Sequence, residues 1–280
     1  VGSREGLSNL LAYVNDQRGI DFSLYRHATV IRKLDLRLHA TKTVSYAAYL
    51  EYLKSHPAEI ENLVGTLTIK VTSFFRNPPV FEILASSVIP EVMSRFGCLR
   101  IWSLGCASGE EPYSLAIIVR DLLKKEKEEI NVKIVGTDID AGAIGKAVRG
   151  EYQENAVAGV RKEYVDKFFQ MMQEPASQGC LYRISDQIKS MVRFEKDDVL
   201  SGLERAKDAG RLYHISLCRN VMIYMNRALQ EKTVADISGI LCAGGYMVMG
   251  ESETFPDSVS DRFTQTFPDL KIYGRNPSSP

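Results

Sequence analysis

The sequence predicts an α/β protein built in two parts, and three observations carry that prediction. Apolar residues recur at helical spacing through residues 1–70. From Leu99 onward, short apolar runs alternate with amphipathic stretches, the pattern of a mostly parallel sheet covered by helices on both faces. Between the first of those runs and its helix lies a glycine-bearing turn, Gly105–Gly109, where the backbone can pass close to a ligand.

In the all-helical N-terminal domain, residues 1–70, a helix is expected over Ser23–His39, with Leu24, Ile31, Leu34 and Leu38 on one arc. Arg26, Lys33 and Arg37 then fall beside that arc, within about 40° of one another. A second helix begins after Ser45, a suitable N-cap, and buries Tyr46, Tyr49, Leu50 and Leu53. A third follows Pro57, with Ile60, Leu63, Val64 and Leu67 at helical spacing. Residues 71–95 are expected as a linker that also contacts the ligand.

The second domain, residues 96–275, starts with a strand at Leu99–Leu104 and a helix at Glu110–Lys124. Val132–Thr137 is the next strand and ends at Asp138-Ile139-Asp140; the charged run from Lys124 to Glu129 reads as a solvated helix end. Further strands are expected at Met191–Phe194, Leu212–Leu217 and Tyr246–Met249, and Phe263–Phe267 with Leu270–Tyr273 forms a hairpin around Pro268-Asp269. The interval from Asp138 to Met191 exceeds a single crossover helix. It is expected to hold a small antiparallel β-subdomain near residues 175–195, with Leu181–Ile184 pairing to the following strand. Residues 276–280 form a loose tail.

Composition narrows the function classes. The 280 residues are 45% hydrophobic and 25% charged, with 35 basic and 35 acidic side chains, which excludes general disorder and a polyanion binder. No apolar run approaches a membrane span, and no charged-then-apolar leader argues for export. Five scattered cysteines without metal spacing, and four histidines without ligand spacing, are expected to mean free thiols in a reducing cytoplasm and no metal site.

The turn Trp102–Tyr113 carries the chemistry. Gly105 and Gly109 precede a helix N-terminus, and one strand later Asp138 stands where a carboxylate can accept both ribose hydroxyls. The spacing is not the pyrophosphate fingerprint, and Glu110 and Glu111 would repel a pyrophosphate while attracting a cationic amino group. S-adenosylmethionine therefore fits better than a dinucleotide. A hydrolase elbow at Ser108 would need glycine where Cys106 and Glu110 stand. Cys106 is no nucleophile among so many carboxylates.

Five motifs occur in one family's order: Thr72-Ser-Phe-Phe-Arg76, Trp102 to Ser114, Gly136-Thr-Asp-Ile-Asp140, Cys218-Arg-Asn-Val-Met-Ile-Tyr224, and Gly244 to Ser252. Over about Leu7 to Tyr273 the chain resembles the CheR chemotaxis-receptor glutamate methyltransferases. The resemblance implies a helical domain followed by a Rossmann-like S-adenosylmethionine-dependent domain with a β-subdomain insertion. It implies that Thr72 and Arg76 contact the methionine end of the cofactor, Glu111 its amino group and Asp138 its ribose. It places Asp198 and Val199 at the adenine, where the family commonly shows asparagine and leucine. Arg219 and Asn220 open the late motif, Tyr224 lies near the methyl group, and Lys70 stands where some members place a cofactor-contacting asparagine.

The reaction so implied is transfer of the sulfonium methyl to a glutamate carboxylate, giving a γ-methyl ester and S-adenosylhomocysteine, with Arg76 and Tyr224 as catalytic residues. The implied partners are cytoplasmic helices of chemotaxis receptors, guided by Arg26, Lys33 and Arg37, and in some members a receptor tail peptide on the β-subdomain. A monomer with no nucleic-acid partner and no membrane insertion is expected. A methyltransferase for a small molecule or nucleic acid would keep the same cofactor residues, whereas a non-catalytic adaptor would be expected to lose Arg76 or Tyr224.

Overall fold

The computed structural model describes residues 3–68, 72–124, 130–172 and 180–277. Its chain divides into a helical unit, residues 1–69 with 222–232, and a larger unit, residues 70–221 with 233–280.

Four helices make most of the helical unit: α1 (Arg4–Arg18), α2 (His27–Thr41), α3 (Tyr46–Ser55) and α4 (Glu59–Leu67). Ser45 caps α3 as expected, its side chain accepting the Ala48 N–H at 3.2 Å. The expected helix from Ser23 is interrupted. Asp21 caps a separate 3-10 turn at Phe22–Leu24. Tyr25 then pairs with Met225 in an antiparallel bridge, and the Arg26 N–H donates to the Tyr224 carbonyl at 2.7 Å. Arg26 is thus extended chain ahead of α2, off the helical wheel that carries Lys33 and Arg37.

Those two cations are engaged inside the unit. Lys33 Nζ donates to the Thr66 and Thr68 carbonyls, at the C-terminal end of α4. Burial pulls its pKa down. Arg37 donates through Nε and Nη2 to Glu59 Oε1 at 2.9 and 2.6 Å; Tyr49 Oη and Asn62 Nδ2 complete the carboxylate's shell. Burial works to raise the Glu59 pKa, but the hydrogen bonds from Asn62, Arg37 and Tyr49 outweigh it and leave it lowered.

Arg37→Met is therefore expected to destabilise the helical unit by about 2–3 kcal/mol, by leaving a buried carboxylate short of its cation. A lowered folded pKa stabilises above the unfolded value near 4.3, and that contribution is lost as pH falls through the folded value. Thermal unfolding should show the gap between parent and variant wide at pH 7 and narrowing towards pH 3. A gap that does not change with pH would separate Glu59 from the effect.

In the larger unit, helix α5 (Pro78–Ile83), a π turn at Leu84–Val88 and helix α6 (Ile89–Phe96) run as one helical stretch. It buries Val80, Phe81, Leu84, Val88, Ile89 and Val92, so the expected 71–95 linker is largely helical and contributes to the core. Next come β1 (Cys98–Leu104), α7 (Glu110–Leu123), β2 (Asn131–Asp138) and α8 (Ala141–Arg149). The insertion holds β3 (Glu151–Gln153), α9 (Glu154–Val157), α10 (Lys162–Phe168), β4 (Phe169–Met172), β5 (Leu181–Ile184) and α11 (Asp186–Lys189). The chain continues through β6 (Val192–Lys196), α12 (Val199–Asp208), β7 (Tyr213–Cys218), α13 (Arg227–Ile240), β8 (Leu241–Met249), β9 (Phe263–Phe267) and β10 (Ile272–Arg275).

The main sheet runs β6-β2-β1-β7-β8-β10-β9, parallel through β8 and closed by the antiparallel β9–β10 pair. The small sheet, β3-β5-β4, is antiparallel. It begins at residue 151, earlier than the 175–195 expected, and β5 pairs with β3 and β4, while β6 joins the main sheet. Residues 173–179 of that interval lie outside the described residues.

Register positions the site. Leu104 lies beside Thr137 on one side and Cys218 on the other. Three carboxyl ends therefore coincide where the strand order reverses, and the residues at or just beyond them are Gly105, Asp138 and Arg219. Such a switch point is where open α/β sheets form their ligand crevice.

Candidate active site

The turn after β1 holds three left-handed residues, Gly105, Ala107 and Gly109. A side chain on Gly105 would collide with Val221, and one on Gly109 would lie 2.8 Å from Ala147 Cβ. The Cys106 N–H donates to the Thr137 carbonyl at 2.9 Å, tying the turn to β2. Burial pushes the Cys106 thiol well up, with Asp138 and Glu111 adding to it, so it stays protonated and inert.

Asp138 holds the turn from the next strand. Its Oδ2 accepts the Ala107 N–H at 2.8 Å and its Oδ1 the Asp140 N–H at 2.9 Å. Glu110 accepts the Ser108 hydroxyl on both oxygens at 2.9 Å, and burial raises its pKa.

Glu111 points into a network that chain order hides. Its Oε1 accepts from Ser103 at 2.8 Å and its Oε2 from Arg219 Nη1 at 3.0 Å. Arg219 Nη2 also donates to the Arg76 carbonyl at 2.8 Å and to Asn77 Oδ1 at 2.9 Å, and its guanidinium lies over the Phe81 ring. With a side chain only 2% exposed, Arg219 is a buried clasp joining three segments. Asn77, which extends that clasp to Glu251 at 2.7 Å, escaped sequence reasoning; its place directly after the Thr72–Arg76 motif is the only signal for it.

The motif itself is pinned to α7. The Phe75 N–H donates to Ser114 Oγ at 2.9 Å, and Phe74 is buried edge-on against Tyr152 and Phe169. Thr72 and Arg76 are half-buried beside it, and Lys70 lies outside the described residues. Asp198 caps α12 through Oδ2, taking the Leu200 and Ser201 N–H groups at 3.0 and 3.1 Å, and burial raises its pKa. Val199 follows as the first residue of α12, and Asn220 is held left-handed with a φ of 60°. Tyr224, by contrast, closes a 3-10 turn at Met222–Tyr224 that belongs to the helical unit. From sequence alone it falls within the second domain expected over residues 96–275.

The donor set suits an adenosyl sulfonium. Carboxylates at 110, 111 and 138 surround the turn, a poor setting for a pyrophosphate and a good one for a cation bearing ribose hydroxyls. Asp138 stands at the carboxyl end of β2, with a backbone N–H on each of its two oxygens.

The comparisons point the same way. Residues 70–271 match the family model described as CheR methyltransferase, SAM binding domain, and residues 5–68 match its all-alpha domain. A chemotaxis protein methyltransferase 2 of Pseudomonas aeruginosa is 31% identical over 85% of this chain and 82% of its own. A chemotaxis protein methyltransferase of Borreliella burgdorferi is 25% identical, covering 90% and 89%. An uncharacterized 104.1 kDa protein of Rhodobacter capsulatus is 28% identical over 93% of this chain, which spans 26% of that protein's length. With both family domains matched in order, the chain belongs to the CheR methyltransferase family and is an S-adenosylmethionine-dependent methyltransferase.

Proposed function

We propose that the protein methylates glutamate side chains of chemotaxis receptors, forming γ-methyl esters and S-adenosylhomocysteine. The observation that carries this reading is the Glu111–Arg219–Arg76 clasp at the glycine turn, which joins the cofactor side of the crevice to the motif that would meet a carboxylate. The relatives named chemotaxis protein methyltransferases support the receptor as substrate.

S-adenosylmethionine supplies an activated methyl group when bound. Asp138, at the carboxyl end of β2, would take the ribose hydroxyls, and Glu111, held by Arg219, would take the amino group. Thr72 and the Arg76 segment line the methionine end, and Gly105 and Asn220 shape the turns around it. Asp198 caps its helix through Oδ2, and its Oδ1 would meet the adenine amino group beside Val199. The Arg76 guanidinium holds the incoming carboxylate without taking its proton. No general base is needed, because a free glutamate has a pKa of about 4.3 and arrives ionised. Rate comes from alignment and from removing water around the oxygen.

The guiding charge on the helical unit passes to exposed Arg26 and Arg32, since Lys33 and Arg37 are occupied internally. Incubation with labelled S-adenosylmethionine and receptor cytoplasmic fragments should give label released as methanol by alkali. Label that is stable to alkali, or none on any fragment, would overturn the glutamate assignment. In the same assay the Arg26→Glu/Arg32→Glu variant should lose most of the parent's salt sensitivity; unchanged salt sensitivity would remove the guiding role.

A further inference from the structure

One buried carboxylate outside the motifs already described ties the ends of two neighbouring strands together. Glu253 is 4% exposed. Its Oε1 accepts the Val221 N–H at 2.9 Å, and its Oε2 accepts the Gly250 N–H at 2.6 Å. Its own N–H donates to the Gly250 carbonyl at 3.0 Å, closing a tight turn just past β8. Because β7 and β8 are parallel with Cys218 beside Met249, both donors stand at adjacent carboxyl ends, on the crevice side of the sheet.

The two N–H groups come from different loops, and a single carboxylate can satisfy both. An ionised carboxylate is acceptor-only, whereas an amide would present one oxygen and turn its NH2 towards the other donor. The loop so held is unusual. Asn220 is left-handed, and the Val221 side chain lies so close to Gly105 that no side chain fits there. Arg219, two residues before Val221, grips Glu111, the Arg76 carbonyl and Asn77. Val221 is also the last residue of the larger unit before the segment that carries Tyr224.

We propose that Glu253 is a positioning residue of the cofactor site. It fixes the Arg219–Val221 loop against the glycine turn, and through that loop it fixes the Glu111 carboxylate. The role rests on the cofactor contacts proposed above for Glu111 and the glycine turn, and it is independent of the methyl acceptor.

Glu253→Gln is the isosteric test. The Kd for S-adenosylhomocysteine, measured by calorimetry well below the melting temperature, should weaken about tenfold or more, because a misplaced loop costs binding in every collision. The KM for S-adenosylmethionine should rise with it, while the KM for a receptor fragment stays unchanged. A role confined to stability would lower the melting temperature and leave Kd within about twofold of the parent, and that result overturns the proposal. Val221→Ala keeps the N–H and trims the contact on Gly105, so it serves where Glu253→Gln does not fold. It should weaken Kd by about threefold or more, and a parental Kd overturns the proposal. A parent protein that binds S-adenosylhomocysteine but esterifies no receptor would refute the proposed substrate and leave the Glu253 role standing.

Discussion

Replacement of Arg219 by methionine is expected to weaken S-adenosylhomocysteine binding about 10–100-fold and to cost about 3–5 kcal/mol of stability, the range for breaking a buried ion pair from one side. Methionine fills the space over Phe81 but supplies no donor. Glu111 would keep Ser103 alone, and the Arg76 carbonyl and Asn77 Oδ1 would lose the guanidinium they share. Lysine should recover only part of the loss, since one ammonium cannot reproduce a planar fork aimed at three acceptors. Pairing the change with Glu111→Gln in a double-mutant cycle should give a coupling of about 1.5–3 kcal/mol. A coupling near zero would mean that Arg219 and Glu111 act separately, and the clasp would lose its meaning.

The parts of the site that could be read from the sequence are those in which one short segment dictates its own conformation. The Gly105–Gly109 turn, the Glu110–Glu111 pair and the carboxylate at Asp138 each announce themselves through glycine placement or strand ends. The Arg219–Glu111 pair lies 108 residues apart, and only the register of β1 against β7 brings the two together. Lys33 and Arg37 failed as free charges for a local reason. They flank the apolar arc of α2, so their stems enter the packed region and their head groups find Thr66, Thr68 and Glu59. Glu59 on the inward face of α4 was the available sign of a buried partner.

The small sheet was placed too late because β3 is three residues long, and nothing in Glu151–Gln153 alternates strongly enough to mark a strand. Tyr152 reveals its role only in three dimensions, donating to the Ser108 carbonyl at 2.7 Å and packing against Phe74. The Met222–Lys232 segment follows the same rule. Its pairing partner, Tyr25, is remote in sequence, so nothing local to the segment separates it from residues 96–275.

Arg76→Ala should separate catalysis from cofactor binding. The Arg76 backbone carbonyl receives Arg219, and that bond survives loss of the side chain. Cofactor affinity should then stay within about threefold of the parent, while kcat falls about 100-fold, the cost of a reactant that is no longer held in line. Arg76→Lys should retain part of the rate through charge alone. The pH profile gives a second reading of the same chemistry. With a carboxylate nucleophile and no general base, kcat/KM for a receptor fragment at saturating S-adenosylmethionine should be flat from about pH 6 to 7.5 and fall on the acid side as the substrate glutamate protonates near 4.3. A profile with a limb near pH 7 would require a base that the mechanism does not contain. Parental kcat in Arg76→Ala would take the substrate-holding role away from this arginine.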